Sequence, residues 1–463
     1  MLLKIAFRNI LRNTRRSVMT MSAISAGVIA MVLFGGFMGN IITGFQTTTV
    51  QRTGHLTVYR NGYFVFGAGN PAAWGIPDYQ SVLQLIRDDP VLKPMLVVVT
   101  PTVSMFGIAG NYDIDTSKTF LGTGFIPSDR DAMRQWDEYG LFAGRLPTPS
   151  GMRDDDPTIG VIGNGLARVL GFCDALKLRD CPPRPDNAAT PTGSAPAQDF
   201  SALAKQDIPA RTAEKSLPRI DLLAATAGGA PNVVSLNIAK AELQGVKELD
   251  DTYVAMHFAL AQQLLYGRGE HQAVGIVLQL HRSEDIAAAR ARLTTLFTGH
   301  KLDLEVRDFT ELVPFYKQVI GLFGAIFTFI AVIMGVIVLF AVVNTMSMSV
   351  MERTNEIGTA RAMGVRRRGI RRQFLAEGAM LGTIGASVGL ALAVIIALLV
   401  NHSGMTWMPP GQAAPVPLRV MATGIAALQG SVWLGLVLMA TLAALIPANR
   451  GARLPVVDAL RHV

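Results

Sequence analysis

NTMSMSVMERTNEIGTARAMG, residues 344–364, leaves a long apolar stretch, becomes a charged helix without a break, and stops at Gly364 ahead of Arg366, Arg367 and Arg368. A short charged helix hung between two apolar spans is a handle for something in the cytoplasm. Within it Glu352 and Glu356 stand four apart on one stripe, and Arg353, Ile357 and Arg361 form another. Like charges at that spacing cost roughly a few tenths of a kcal/mol in an isolated helix, so the arrangement suits a partner bringing basic groups.

Composition places the flanks of this stretch in lipid. Half the residues are hydrophobic and 16% are charged, where soluble domains carry nearer a quarter charged. Four segments, 18–45, 319–350, 374–400 and 420–448, reach the length that a hydrocarbon core of about 30 Å demands. The first follows Lys4, Arg8, Arg12, Arg15 and Arg16 as a signal peptide would. Its apolar run is too long for one and no small-x-small site closes it, so it reads as a retained span. Basic residues crowd the N-terminal flank, the loop after the second span (Arg353, Arg361, Arg366, Arg367, Arg368, Arg371, Arg372) and the tail (Arg450, Arg453, Arg461), whereas the loop between the last two spans has only Arg419. The asymmetry predicts cytoplasmic termini and a cytoplasmic 351–373 loop, with residues 46–316 on the other side. The net charge of +8 is then a topology signal and does not point to nucleic acid.

The two cysteines, Cys173 and Cys181, both fall in that outside segment. A disulfide is predicted, with two free thiols as the alternative. Closing so short a loop contributes roughly 2.5 kcal/mol in the chain-entropy model, and an oxidising compartment permits the bond. No Cys/His spacing suits a metal.

Residues 1–17 carry Lys4, Arg8, Arg12 and Arg15 at helical spacing, with Leu3, Phe7, Ile10 and Leu11 on a neighbouring face. That pattern predicts a helix lying in the membrane interface. The outside segment has two similar ends. Residues 46–110 read as strand, helix, then strand or hairpin (GHLTVYR, YQSVLQLIRDD, MLVVVTPTVSMFGIAG), and residues 266–316 read as strand, helix, strand (AVGIVLQLH, SEDIAAARARLTTLF, LDLEVRDF). Two such units pair into one split β-α-β sandwich. Residues 111–265 are then an inserted subdomain, with strands at 158–163 and 232–239, a helix at 257–265 and a mobile Pro/Ala-rich loop at 182–217. Beyond it come the second span (317–350), the cytoplasmic helix and basic loop (351–373), the third span (374–400), an outside loop (401–419), the fourth span (420–448) and a cytoplasmic tail (449–463).

Gly378, Gly382, Gly385 and Gly389 recur at spacings of four, three and four, which lets one face of the third span approach a neighbour closely. Whether that neighbour belongs to this chain or to another is open. Gly385, Ser387 and Gly389 also spell G-x-S-x-G, but mid-span, without the strand-turn-helix elbow a nucleophile needs. Glu377 lies near the cytoplasmic end of the same span, within reach of water or of Arg372, and snorkelling to the interface is its expected fate. No G-x-x-x-x-G-K-[ST] occurs, so ATP is expected to act through another subunit.

The string from Met351 to Gly364, the opening LLKIAFRNILRNTRRSVMTMSAISAGV and the closing IPANRGARLPVVDALRHV closely resemble the FtsX-like/MacB-like permease family of ABC transporters. GRLP (144–147), IGNGLARVLG (162–171) and ELDDTYVAMHFALAQQLL (248–265) are also similar to that family, and RTGHLTVYRNGY resembles the LolC/LolE-type branch. The resemblance implies a type VII architecture of four membrane helices per permease with a large α+β periplasmic domain, in a bacterial inner membrane. It implies two copies of an ATPase subunit that hold ATP and Mg, a second permease, identical or homologous, and a periplasmic carrier or adaptor, with no cofactor and no catalysis in this chain. Glu352, Arg353, Glu356, Ile357 and Arg361 are expected to take force from the ATPase. The expected function is extraction or export of a lipoprotein or other hydrophobic cargo. The alternatives are tripartite efflux of small molecules or peptides, and FtsX-like control of a cell-wall hydrolase.

Overall fold

The computed structural model describes residues 2–140, 146–179, 181, 217–267, 269, 271–408, 415–422 and 424–455, with side chains from Ile5 onward. Helices α1 (Leu2–Arg12) and α2 (Thr14–Thr53) lead into β1 (Leu56–Arg60), α3 (Tyr79–Asp88), β2 (Leu96–Asn111), β3 (Thr116–Phe125) and α4 (Pro127–Arg134). Then come β4 (Ile159–Gly163), α5 (Asn164–Val169), β5 (Arg219–Ala225), β6 (Pro231–Glu242), α6 (Lys247–Asp250), β7 (Tyr253–His257) and α7 (Phe258–Tyr266). After β8 (Gly275–Leu280), α8 (Ile286–Gly299), β9 (Leu304–Asp308) and α9 (Phe309–Leu312), the chain becomes α10 (Pro314–Glu352), α11 (Thr354–Ala362) and α12 (Arg367–Ser403). A two-residue hairpin, β10 (Thr406–Trp407) with β11 (Val416–Pro417), precedes α13 (Ala426–Ala443) and α14 (Leu445–Arg453).

Two compact units result. One holds residues 1–46, 314–407 and 416–463, and the other residues 47–313 and 408–415.

In the first unit, four helical stretches among the described residues are long and apolar enough to cross a membrane: α2, α10, α12, and α13 with α14. Glycine spacing decides their packing. A Cβ on Gly378 would lie 2.6 Å from Ala444 Cβ, one on Gly382 3.0 Å from Ala440 Cβ, and one on Gly389 2.7 Å from Ser25 Cα. The upper half of the stripe thus packs on α2 and the lower half on α13 and α14, with both neighbours in the same chain. Ser25 Oγ donates to Gly385 O at 2.7 Å across the closest approach. Ser387, the centre of the G-x-S-x-G string, accepts from Trp433 Nε1 at 3.1 Å. The fourth span starts at Ala426 rather than at 420, and it is interrupted at Ala444. Pro447 has no N–H to give Ala443 O, so the helix restarts as α14.

The expected interfacial helix 1–17 is shorter and differently faced. It ends at Arg12, α2 begins two residues later, and Ile10, assigned above to the lipid-facing side, is buried with Ala6, whereas Phe7 and Leu11 remain exposed. Ile10 shares a core with Ile370, Phe374 and Leu381 of α12.

In the second unit nine of the described strands form one sheet. Strands β9, β1, β8 and the first part of β2 run antiparallel in that order. Helix α3 connects β1 to β2 and α8 connects β8 to β9, and their apolar faces (Val82, Leu83, Ile86; Ala289, Leu293, Phe297) share a core with Leu56, Val58, Ile276 and Leu278. Strand β2 does not stop at this sheet. After Pro101 it acquires β3 as partner and then β5, and the order β2–β3–β7–β4–β6–β5 returns to β2 as a closed ring. Its interior is filled by Met105, Phe120, Ile162, Leu222, Leu236 and Met256. Gly107 permits the closure, since a Cβ there would stand 2.1 Å from Leu223 O. The expected boundary at 110/111 therefore falls at the end of a strand shared by both parts, and MLVVVTPTVSMFGIAG is one strand, not a hairpin.

Two of the stretches quoted above meet here. Asp250, 2% exposed, accepts from Asn164 N (3.1 Å), Gly165 N (2.8 Å) and Gln244 N (2.8 Å), so IGNGLARVLG and ELDDTY lock together through one carboxylate. Cys173 and Cys181 are joined, with S–S 2.05 Å. The loop expected at 182–217 lies outside the described residues except for Leu217, as do residues 144–145 of GRLP and 456–463 of the tail.

Candidate functional site

The charged stretch between α10 and α12 is not one continuous helix. Helix α10 ends at Glu352, Arg353 takes φ −107° and ψ 19°, and α11 starts at Thr354. The other end is sharply defined. Val365 N donates to Ala360 O (3.0 Å) and Gly364 N to Arg361 O (3.1 Å) around Gly364 at φ +97°, a Schellman stop that only glycine adopts without strain. Arg366 is then extended and α12 begins.

The break at Arg353 has a cause. Its guanidinium turns inward, with the side chains of Arg353 and Glu377 each 4% exposed and Nη1 2.9 Å from Glu377 Oε1. Asn9 Nδ2 donates to the same carboxylate oxygen at 2.5 Å, and Arg353 Nη2 reaches Asn9 O at 3.4 Å. Three separate elements (α1, the α10–α11 junction and α12) meet on one buried ion pair. Glu377 therefore does not snorkel and does not pair with Arg372. Burying both charges costs several kcal/mol in desolvation, roughly repaid only by close geometry of this kind.

The other expected coupling residues are also engaged within the chain. Glu352 binds Arg16 and accepts from Asn13 Nδ2 at 3.2 Å, and Glu356 pairs with Arg12 at 2.9 Å. Ile357 is buried, with Gly451 giving α14 room beside it, and Arg361 Nη1 donates to Ala452 O at 2.8 Å. The stripe of Arg353, Ile357 and Arg361 is thus an anchor that faces inward. The apolar Ile357 and the two guanidiniums find core, carboxylate and carbonyl partners within the chain. Met351, Thr359, Met363 and Val365 face outward, next to exposed Arg366, Arg367, Arg368, Arg371 and Arg372.

A second polar group lies in the other unit. His55 is fully buried. Its Nδ1 accepts from Leu280 N (2.9 Å), so Nε2 carries the proton towards Ser283 Oγ (3.3 Å), which itself donates to Glu138 Oε2 (2.7 Å). A histidine whose free nitrogen is already a donor cannot take the serine proton, so this chain of bonds is not a nucleophile with its base. Burial lowers the His55 pKa to about 4 and keeps the ring neutral. Among the described residues no group of three or more His, Cys, Asp or Glu side chains is placed to hold a metal ion.

Residues 328–456, which contain the break, α11 and its anchors, match the family model described as FtsX-like permease C-terminal. Over these residues the chain carries an FtsX-like permease domain, and it is similar to the FtsX/MacB-like permeases. The chain is 30% identical over 229 residues to the pyoverdine export ATP-binding/permease protein PvdT of Pseudomonas entomophila, a match covering 49% of this chain and 33% of the relative. It is 28% identical over 194 residues to the macrolide export ATP-binding/permease protein MacB of Neisseria meningitidis serogroup A, covering 42% of this chain and 28% of the relative. The chain spans a third or less of the length of these relatives. Asn9, the third member of the buried cluster, carried no signal of its own in the sequence, being one polar residue among arginines in an amphipathic pattern.

Proposed function

We propose that this permease is the membrane subunit of an ATP-driven machine in a bacterial inner membrane, with α11 as the element docked on a separate ATPase. The observation that carries this reading is α11 itself: a short helix with a fixed stop, anchored on one side, with Thr359 exposed on it and Met351, Met363 and Val365 exposed at its two ends, between two long apolar helices. Two ATPase copies hold ATP and Mg, and this chain, with a second identical or homologous permease, performs no catalysis. Lys/Arg asymmetry puts the termini and α11 in the cytoplasm and the second unit in the periplasm, where the Cys173–Cys181 bond suits an oxidising compartment. On this reading β9–β1–β8–β2 with α3 and α8 is a porter-like split β-α-β part and the closed ring is the inserted subdomain.

The cargo is a lipoprotein or another lipidated or hydrophobic molecule, favoured by the RTGHLTVYRNGY stretch at the start of the second unit, and a periplasmic carrier receives it. A second reading, efflux of small molecules through a periplasmic adaptor, is favoured by the export functions in the names of PvdT and MacB. Purification from the native host in mild detergent followed by mass spectrometry separates them. An ATPase with a lipoprotein or its carrier supports the first, and an ATPase with a periplasmic adaptor supports the second. Absence of any ATPase in the presence of stabilising nucleotide contradicts both.

A further inference from the structure

Docking alone does not explain how a push on α11 reaches the membrane helices, because the chain is broken at Arg353, between α10 and α11. A break with no other tie is a hinge, and a hinge absorbs displacement. We propose that Arg353 and Glu377 are positioning residues which clasp the start of α11 to α12, with Asn9 bringing α1 into the same joint, so that movement of α11 is delivered to α12. This rests on the docking reading above but concerns a different contact.

Two observations favour the clasp over a merely structural pair. The charges are almost completely buried, where a well-packed apolar pair would serve stability as well or better. The carboxylate oxygen is shared, with Arg353 at 2.9 Å and Asn9 at 2.5 Å, so that the start of α11 and α12 cannot part without leaving a buried charge unpaired, and α1 cannot leave without giving up a hydrogen bond to the same oxygen.

The experiment uses the full chain with its co-purified ATPase in lipid nanodiscs, with spin labels on cysteines introduced at Thr359 of α11 and Arg371 of α12. The two native cysteines are paired and do not label. The unaltered pair should give a narrow distance distribution that shifts as a whole when ATP and vanadate are added. Glu377→Gln should at least double its width and remove most of the nucleotide-induced shift, while ATPase still co-purifies at the normal ratio. The exchange Arg353→Glu with Glu377→Arg should restore a narrow distribution. If Glu377→Gln lowers only the melting temperature and leaves both width and shift unchanged, the clasp is overturned. If the unaltered chain captures no ATPase, the docking reading falls, and the nucleotide-free widths still decide whether the joint is rigid.

Discussion

At Gly389 the backbone of α12 lies so near α2 that a methyl group would meet Ser25 Cα at 2.7 Å and Val28 Cβ at 2.9 Å. Gly389→Val should therefore cost about 1–3 kcal/mol through forced separation of the helices. Gly430→Val, where a Cβ meets nothing within 4 Å, should stay within about 0.5 kcal/mol. Melting of the two variants in detergent compares them directly. His55 gives a prediction in pH. Its folded pKa of about 4 lies below the ordinary 6.5, so the unfolded chain binds the extra proton. The stabilisation is complete above pH 6.5 and is lost as pH falls towards 4, up to roughly 3 kcal/mol. The His55 ring stands 4.8 Å from Trp136, so denaturant midpoints followed by tryptophan emission at pH 7 and pH 4.5 should converge in His55→Gln relative to the unaltered chain. The glycine stripe was legible because small residues at helical spacing carry a steric meaning on their own. The pairing of Glu377 was not, because its partner lies 24 residues away and nearer arginines compete in any reading of the string.

Helix α11 divides the legible from the illegible in the same way. Its stop at Gly364 is local chemistry, and Gly364→Ala should cost about 1 kcal/mol for the positive φ, visible as lost protection of Met363 and Val365 amides in hydrogen exchange. Its start at Arg353 contains no Gly or Pro and is set by a tertiary contact, so sequence pattern ran straight through it. Strand β2 is the converse case. Pro101 looks like a turn signal, yet it sits where the strand changes partners and the missing N–H does no harm. Strand β3, TSKTFLGTGF, hides because its inward positions include Gly122 and Gly124, which show no hydrophobic alternation but make room for Phe120 and Ala261. The start of β1 and the α3 and α8 patterns were readable, since strand alternation and amphipathic faces need little context, whereas the role of Asp250 was not, because its partners Asn164 and Gly165 lie 86 and 85 residues away.

For the molecule as a whole, hydropathy sufficed to place four spans, because lipid imposes length and apolarity on each segment separately. Which helices touch, and which charges turn inward, depends on the assembled unit. The Cys173–Cys181 bond belongs to this scale too. Replacing both by serine should lower the stability of the second unit by roughly 2.5 kcal/mol, read as a shift in its denaturant midpoint, with no change in the first unit's helix content. The central claim, that α11 meets an ATPase, is tested most directly by a photo-crosslinking residue placed at Met363, which is 76% exposed. In native membranes a covalent adduct with a nucleotide-binding protein is expected, absent when the same residue is placed at buried Ile357. Equal labelling at both positions, or adducts with lipid only at Met363, would contradict it.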